Sequence, residues 1–181
     1  MSQSLMDQDT DLQRWLTAEL RSDHAGETGA VWIYKGILAV SRNRQVRDFS
    51  AAHLETEQGH LALISEVLAP DERSWFLPIW RLAGFATGAL PALFGANAVF
   101  ATIAAVETFV DGHYQQQIDR LRDEPAHADI RALLIACQED EVNHRDEARD
   151  AQLATPGMLL KSWCWLVGAG SEAAVSLARW R

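Results

Sequence analysis

Apolar residues recur along this chain at intervals of three and four, with no sustained two-residue alternation, so the dominant period is that of a helix. The pattern predicts five or six helical segments. The first runs from about Leu12 to Val40, with a break expected near Ser22, and the second from Arg44 to Leu68, ended by Ala69-Pro70. A third region, Trp75 to Leu121, is interrupted by Pro78 and Pro91. A fourth runs from Ala126 to Leu153, and the last from Met158 to Arg179 after Pro156-Gly157. No low-complexity linker divides the 181 residues, which suffice for one packed core. The expectation is a single all-α domain over residues 1–181, with residues 1–10 a flexible N-terminus.

A repeat lies within this pattern. A lone Glu is followed about thirty residues later by Glu-x-x-His, and this happens twice: Glu27 before Glu57 and His60, then Glu107 before Glu141 and His144. Each gap fits one helix finishing and an antiparallel helix returning to the same level. Residues three apart share a helix face, so Glu57 with His60, and Glu141 with His144, each form a pair on one face. Their neighbours are apolar: Leu54, Leu61, Ile64 and Leu68 around the first pair, Ile130, Leu134, Cys137 and Ala148 around the second. Glu27 shares its face with Leu20, Val31, Tyr34 and Leu38, and Glu107 with Phe100, Ile103, Ala104, Val110 and Tyr114. Four ionised carboxylates in such a core are prohibitively costly without compensation. Two divalent cations balance them in charge, and a donor set of carboxylate and imidazole without thiolate suits iron or manganese better than structural zinc. One Glu from each of two helices and Glu-x-x-His from each of two others is the pattern of carboxylate-bridged di-iron bundles.

Nearby polar residues have weaker claims. Asp140 reads either as a bond partner for the free ring nitrogen of a ligand histidine or as an exposed helix Asp, and His53 reads as a hydrogen-bonded core histidine one turn before Glu57. Cys137 reads as a small buried residue and His127 as surface; Asp23 and His24 either cap a helix break or support Glu27.

Charge and composition narrow the class. A net charge of −9 argues against a nucleic-acid partner. Two cysteines, Cys137 and Cys164, make no disulfide framework and no close-spaced metal pattern. The stretch Met1 to Trp15 contains three Asp and no apolar run, which fits neither a secretory signal nor an Arg-rich transit peptide. The expected setting is a bacterial cytoplasm, or a chain already trimmed. From Leu82 to Val106 no residue is charged, a run long enough to span a bilayer. A single span there would part Glu57 from Glu107, and Pro91 with several glycines divides the run. It reads instead as part core and part monotopic surface that dips into lipid. Trp75, Phe76 and Trp80 with Arg73 and Arg81, and Trp163, Trp165 and Trp180 with Lys161, Arg179 and Arg181, suit headgroup depth.

The run Asp23-His24-Ala25-Gly26-Glu27-Thr28-Gly29-Ala30 resembles the signature of the demethoxyubiquinone hydroxylase family, the Coq7-type enzymes. Further matches follow in order: Ile33-Tyr34-x-Gly36, Glu57-x-x-His60, Val106-Glu107, His113-Tyr114-x-x-Gln117-Ile118, Asp140-Glu141-x-x-His144, and an apolar helix beginning near Leu160-Lys161-Ser162. The resemblance covers roughly residues 20–179. It implies a ferritin-like four-helix bundle with additional apolar membrane-associating helices. It implies a centre of two iron ions (Fe2+/Fe3+) held by Glu27, Glu57, His60, Glu107, Glu141 and His144, with His113 and Tyr114 beside the active site. The implied reaction is an O2-dependent monooxygenation of a polyprenyl demethoxybenzoquinone ring in ubiquinone biosynthesis. An external reductant is needed, since no Gly-rich nucleotide motif and no cysteine cluster is present. The expected location is peripheral, on the cytoplasmic face of the bacterial inner membrane, as a homo-oligomer or in a complex with other ubiquinone-synthesis proteins. The alternative is another ferritin-like di-iron redox protein: a hydroxylase of a different quinone position, a peroxidase, or an iron-binding protein. The sequence departs from the family at Thr108 and Asp111, where an acidic and a small residue are usual.

Overall fold

The computed structural model describes the backbone of residues 2–180 and the side chains of residues 10–180. The N-terminal flexibility expected over residues 1–10 falls on side chains that, up to residue 9, lie outside the described set. Among the described residues there are six α-helices and no strand: α1 (Ser2–Val40), α2 (Arg44–Val67), α3 (Leu77–Ala92), α4 (Ala96–Arg120), α5 (Ala128–Asp150) and α6 (Met158–Ala178). Helices α1, α2, α4 and α5 form the bundle, while α3 is part of the long crossover from α2 to α4 and packs along α1. One long crossover in a four-helix bundle is the ferritin-like arrangement.

The stripes that build the bundle are regular. On α2 the buried positions are Val46, Ser50, His53, Glu57, His60 and Ile64, alternating steps of four and three, so that polar residues occupy the centre of an inward-facing seam. On α5 the seam is Leu134, Cys137, Glu141, His144 and Ala148. The start of α2 is fixed by Asn43, whose side chain accepts from the Val46 amide at 3.1 Å. Helix α4 is buried most nearly all round, with Phe100, Ile103, Glu107, Tyr114 and Ile118 among its enclosed residues.

Two apolar clusters sit at different heights of the bundle. One joins Ile33, Tyr34 and Ile37 of α1 to Val46, Val99, Phe100 and Ile103. The other joins Leu12, Leu16 and Leu20 to Leu68, Tyr114, Ile118 and Leu134. Glu27 lies between them on α1, so the polar centre is closed off by apolar packing on both sides.

One boundary differs from the sequence reading. Helix α1 runs unbroken through Ser22, because Ser22 and Asp23 are buried and their side chains bond across to α4 instead of capping a break. The interruption expected at Pro91 is found there: Pro91 lies in the last turn of α3, which ends at Ala92. The turn into α4 is made at Gly95, whose φ of 101° lies in the left-handed region that glycine tolerates. The long uncharged run is thereby folded into α3 and the first half of α4. No helix among the described residues is long and apolar enough to cross a membrane.

Helix α3 lies against α1 at backbone distance. A Cβ added at Gly88 would stand 1.9 Å from the Ile33 carbonyl oxygen, and one at Gly84 would stand 2.3 Å from that of Gly29. The contacted residues Gly29, Ile33 and Gly36 lie on the side of α1 turned away from Glu27, so α3 is seated on the outside of that helix.

Candidate metal centre

The repeat brings all six residues of the sequence prediction to one place. Ligand atoms of Glu27, Glu57, His60 and Glu141 lie within 4.8 Å of one another, and so do those of Glu57, Glu107, Glu141 and His144. Each group could hold one metal ion, and Glu57 and Glu141, belonging to both, are placed to bridge. The six residues come from α1, α2, α4 and α5, and all are buried.

The free ligand atoms fit metal ions. Glu57 Oε1 and Oε2, Glu27 Oε2, Glu141 Oε2 and His144 Nδ1 are buried without a hydrogen-bond partner. His144 Nδ1 lies 3.2 Å from Glu57 Oε1 and 3.3 Å from Glu141 Oε2. His60 Nδ1 lies 3.1 Å from Glu141 Oε1 and 3.8 Å from Glu27 Oε2. Buried polar atoms without partners are rare in folded proteins, and several converging on one spot are what a cation would satisfy.

Electrostatics give the same picture. Burial, followed by the charge of Glu57, raises the Glu27 carboxyl well above the usual carboxylate range. Burial and the neighbouring Glu141 and Glu57 do the same to Glu107. Burial, then Glu141, also raises Glu57. Burial alone would push Glu141 up as well, but the His144 and His60 imidazoles beside it hold it down at about 2. The histidines respond in kind: against the effect of burial, Glu141 and its neighbours raise His60 to about 9 and His144 to about 10. Without metal, protons stand where cations would.

Two phenols complete the centre. Tyr114 Oη donates to Glu27 Oε1 at 2.5 Å, leaving Glu27 Oε2 free for a metal. Tyr34 Oη donates to Glu107 Oε1 at 3.3 Å. Burial raises both phenols well above their ordinary value, so each remains a donor. The role of Tyr34 was hidden in the sequence, where it reads as an apolar-face residue. Its spacing of seven from Glu27, two turns along one face, was the available signal.

The remaining candidates separate clearly. Asp140 Oδ2 lies 3.1 Å from His60 Nε2, fixing that ring from outside. His53 is a buried, hydrogen-bonded histidine, its Nε2 3.1 Å from Glu147 Oε2. Cys137 is buried. His127 is half-buried rather than freely exposed. His113 does not touch the carboxylates; its Nε2 bonds Asp23 Oδ1 at 3.0 Å, and Gln117 Nε2 donates to the same oxygen at 2.8 Å. Asp23 thus serves α4 rather than Glu27. His24 is buried on α1 within a continuous helix, so it caps no break. Thr108 and Asp111 face α5: Arg149 donates to Thr108 Oγ1 at 3.0 Å, and Asp111 accepts from Gln138 and Arg145. These departures from the family pattern pin α4 to α5.

A cleft of about 370 Å³ reaches the centre between α1, α3, α4 and α6. Its inner end is lined by Glu27, Glu57, Glu107 and Glu141, and Tyr114 and His113 stand on its wall. Along its length the lining turns apolar and small, with Gly26, Ala30, Ala83 and Gly170 leaving the space open.

A metal ion must displace the protons on His60 and His144, which both rings hold firmly near neutral pH in the metal-free protein. Raised pKa values mean that uptake is opposed below about pH 9 and eased as pH rises. The two imidazole protons alone correspond to roughly a 100-fold gain in overall affinity for the metal pair per pH unit, and protons displaced from Glu27 and Glu107 add to it. Manganese(II) titrations at pH 6.5 and 7.5 should show that gain, with proton release in weak buffer; a pH-independent affinity would contradict it.

Comparison with known proteins gives the family. A family model described as "Ubiquinone biosynthesis protein COQ7" matches residues 14–178. The chain is 41% identical over 130 residues to the 3-demethoxyubiquinol 3-hydroxylase of Rhodospirillum rubrum, covering 70% of this chain and 60% of that protein. It is 34% identical over 165 residues to the mitochondrial NADPH-dependent 3-demethoxyubiquinone 3-hydroxylase of Rattus norvegicus, covering 88% of this chain and 75% of that protein. The corresponding protein of Dictyostelium discoideum is 34% identical over 164 residues, covering 88% and 74%. The chain therefore belongs to the COQ7 family of ubiquinone biosynthesis proteins.

Proposed function

We propose that the protein is a di-iron monooxygenase that hydroxylates the ring of a polyprenyl demethoxybenzoquinone in ubiquinone biosynthesis. The observation that carries this reading is the cleft, apolar along its length and ending on the four carboxylates. A flat quinone with an isoprenoid tail has that polarity profile, a polar head to be held at the metals and a hydrocarbon tail to be kept from water. The curated relatives bear names of 3-demethoxyubiquinol and 3-demethoxyubiquinone hydroxylases, and those from mitochondria are named as NADPH-dependent.

Two irons, when bound, supply the activation of O2, with one oxygen atom going to the ring and the other leaving as water at the cost of two external electrons. The protein's own contribution is positional. Glu57 and Glu141 would hold the pair together and His60 and His144 would hold one ion each, while Tyr114 and Tyr34 hydrogen-bond Glu27 and Glu107. The apolar clusters above and below exclude water, and the small side chains of α1 let the ring approach. His113, tied to Asp23 and Gln117, forms a rigid part of the wall beside the ring.

The same reading places the protein peripherally on a bilayer, at the cytoplasmic face of a bacterial inner membrane. Helices α3 and α6, which line the cleft, and the turn after α3 turn large apolar side chains outward: Leu82 is 72% exposed, Phe94 83%, Trp165 73% and Leu159 89%. Such a surface beside the opening of an apolar cleft supports lipid contact, through which the substrate would enter without crossing water.

Iron-loaded protein given a demethoxyubiquinone, a reductant and O2 should yield a product heavier by one oxygen atom, read by mass spectrometry. Glu141→Ala should abolish product and cut iron affinity at both positions by more than the ~10–100-fold that loss of an outer partner costs; full activity in that variant would refute the assignment. In sedimentation with phospholipid vesicles, Leu82→Asp and Trp165→Asp should each weaken binding by roughly tenfold or more, given ~1.5–3 kcal/mol for burying a large apolar side chain. Unchanged sedimentation would remove the membrane part of the reading.

A further inference from the structure

A histidine that binds a metal is usually fixed at its other ring nitrogen by a carboxylate or carbonyl, which sets its orientation and makes it a stronger donor. The two halves of the repeat differ here. His60 has such a partner in Asp140, the residue just before Glu141. The corresponding position, just before Glu57, is Thr56, which carries no carboxylate. Among the described residues, the carboxylates within 4.0 Å of His144 are Glu57 and Glu141, and both approach Nδ1.

What meets the His144 ring is another imidazole. His53 packs edge-to-face on it, with centroids 4.0 Å apart at 75°. His53 comes from α2, one turn before Glu57, and is itself tightly held. Phe49 lies against it at 4.1 Å and Tyr34 stacks at 6.0 Å. Its Nε2 donates to Glu147 Oε2 at 3.1 Å, and Glu147 stands three residues after His144 on α5. A small loop is thereby closed, from His144 through His53 to Glu147 and back along one turn of α5. Tyr34 links this loop to Glu107, a member of the same ligand group as His144.

We propose that His53, anchored by Glu147, is a positioning residue for His144, and that the two metal positions are inequivalent for this reason. The His60 position has a ligand strengthened by a carboxylate. The His144 position has a ligand oriented by ring packing alone, so its metal binds more weakly and is the second to load. This rests on the di-iron reading above. The pair His53 and Glu147 has no part in that reading's ligand set or reaction.

The test is anaerobic titration with 57Fe(II), followed by Mössbauer spectroscopy. The native protein should take up two irons in separable steps, giving two quadrupole doublets. His53→Ala should weaken the second step by about tenfold or more and change one doublet, leaving the first step in place. Asp140→Asn should change the other doublet. Glu147→Gln keeps an acceptor for His53 and should behave as native. Glu147→Ala, at a side chain 63% exposed, should alter the same doublet as His53→Ala, and it carries the test should that variant fail to fold. Native protein that binds no iron pair would overturn the di-iron reading itself. A native pair with His53→Ala and Glu147→Ala spectra unchanged, or with the same doublet moved by Asp140→Asn, would overturn this proposal alone.

Discussion

Four buried carboxylates, gathered in two overlapping groups whose ligand atoms each lie within 4.8 Å of one another, set the terms for the rest of this molecule. Like charges at that distance in a low-dielectric interior repel by several kcal/mol per pair or more. Without metal the protein meets this cost with protons: Glu27 and Glu107 are pushed toward their neutral forms, and His60 and His144 are held charged beside Glu141. Two divalent ions would replace those protons with a net balance of charge. The free energy of metal binding then becomes free energy of folding, since the unfolded chain has no such nest. The same centre that does chemistry is thus tied to the stability of the bundle.

Much of the architecture follows from protecting and reaching that centre. Apolar clusters close the bundle on either side of it, and each contributes one tyrosine that points back toward a ligand carboxylate. Access is left open by the cleft between α1, α3, α4 and α6. The backbone-close seat of α3 on α1, at Gly84 and Gly88, brings the crossover near enough to form a wall of the cleft. Farther out, Arg21 ties three segments together: it bonds the Glu72 carbonyl and carboxylate before α3 and the Arg179 carbonyl after α6, while Arg179 pairs with Glu19. Both flanking helices are therefore fastened to α1 near the cleft.

The sequence carried the helices and the six-residue cluster because both are written in periodicity. Steps of three and four place Glu57 with His60, and Glu141 with His144, on the same stripes as their apolar neighbours, and the double repeat needs no tertiary information. What was not legible depends on partners distant in the chain. Ser22 looks like a helix breaker until α4 offers its side chain a bond to His113. Thr108 and Asp111 are unusual for the family, and only the packing of α4 on α5 shows their work in gripping Arg149 and Arg145. His53 and Glu147, 94 residues apart, meet only in the fold.

The central claim is that Glu57 and Glu141 are shared between two metal ions. X-ray absorption on protein loaded anaerobically with iron tests this directly. Shared carboxylates predict two irons per chain and an iron–iron scattering path of ~3.5–4 Å, the usual separation in two-metal sites. One iron per chain, or two with no resolvable path between them, would contradict it.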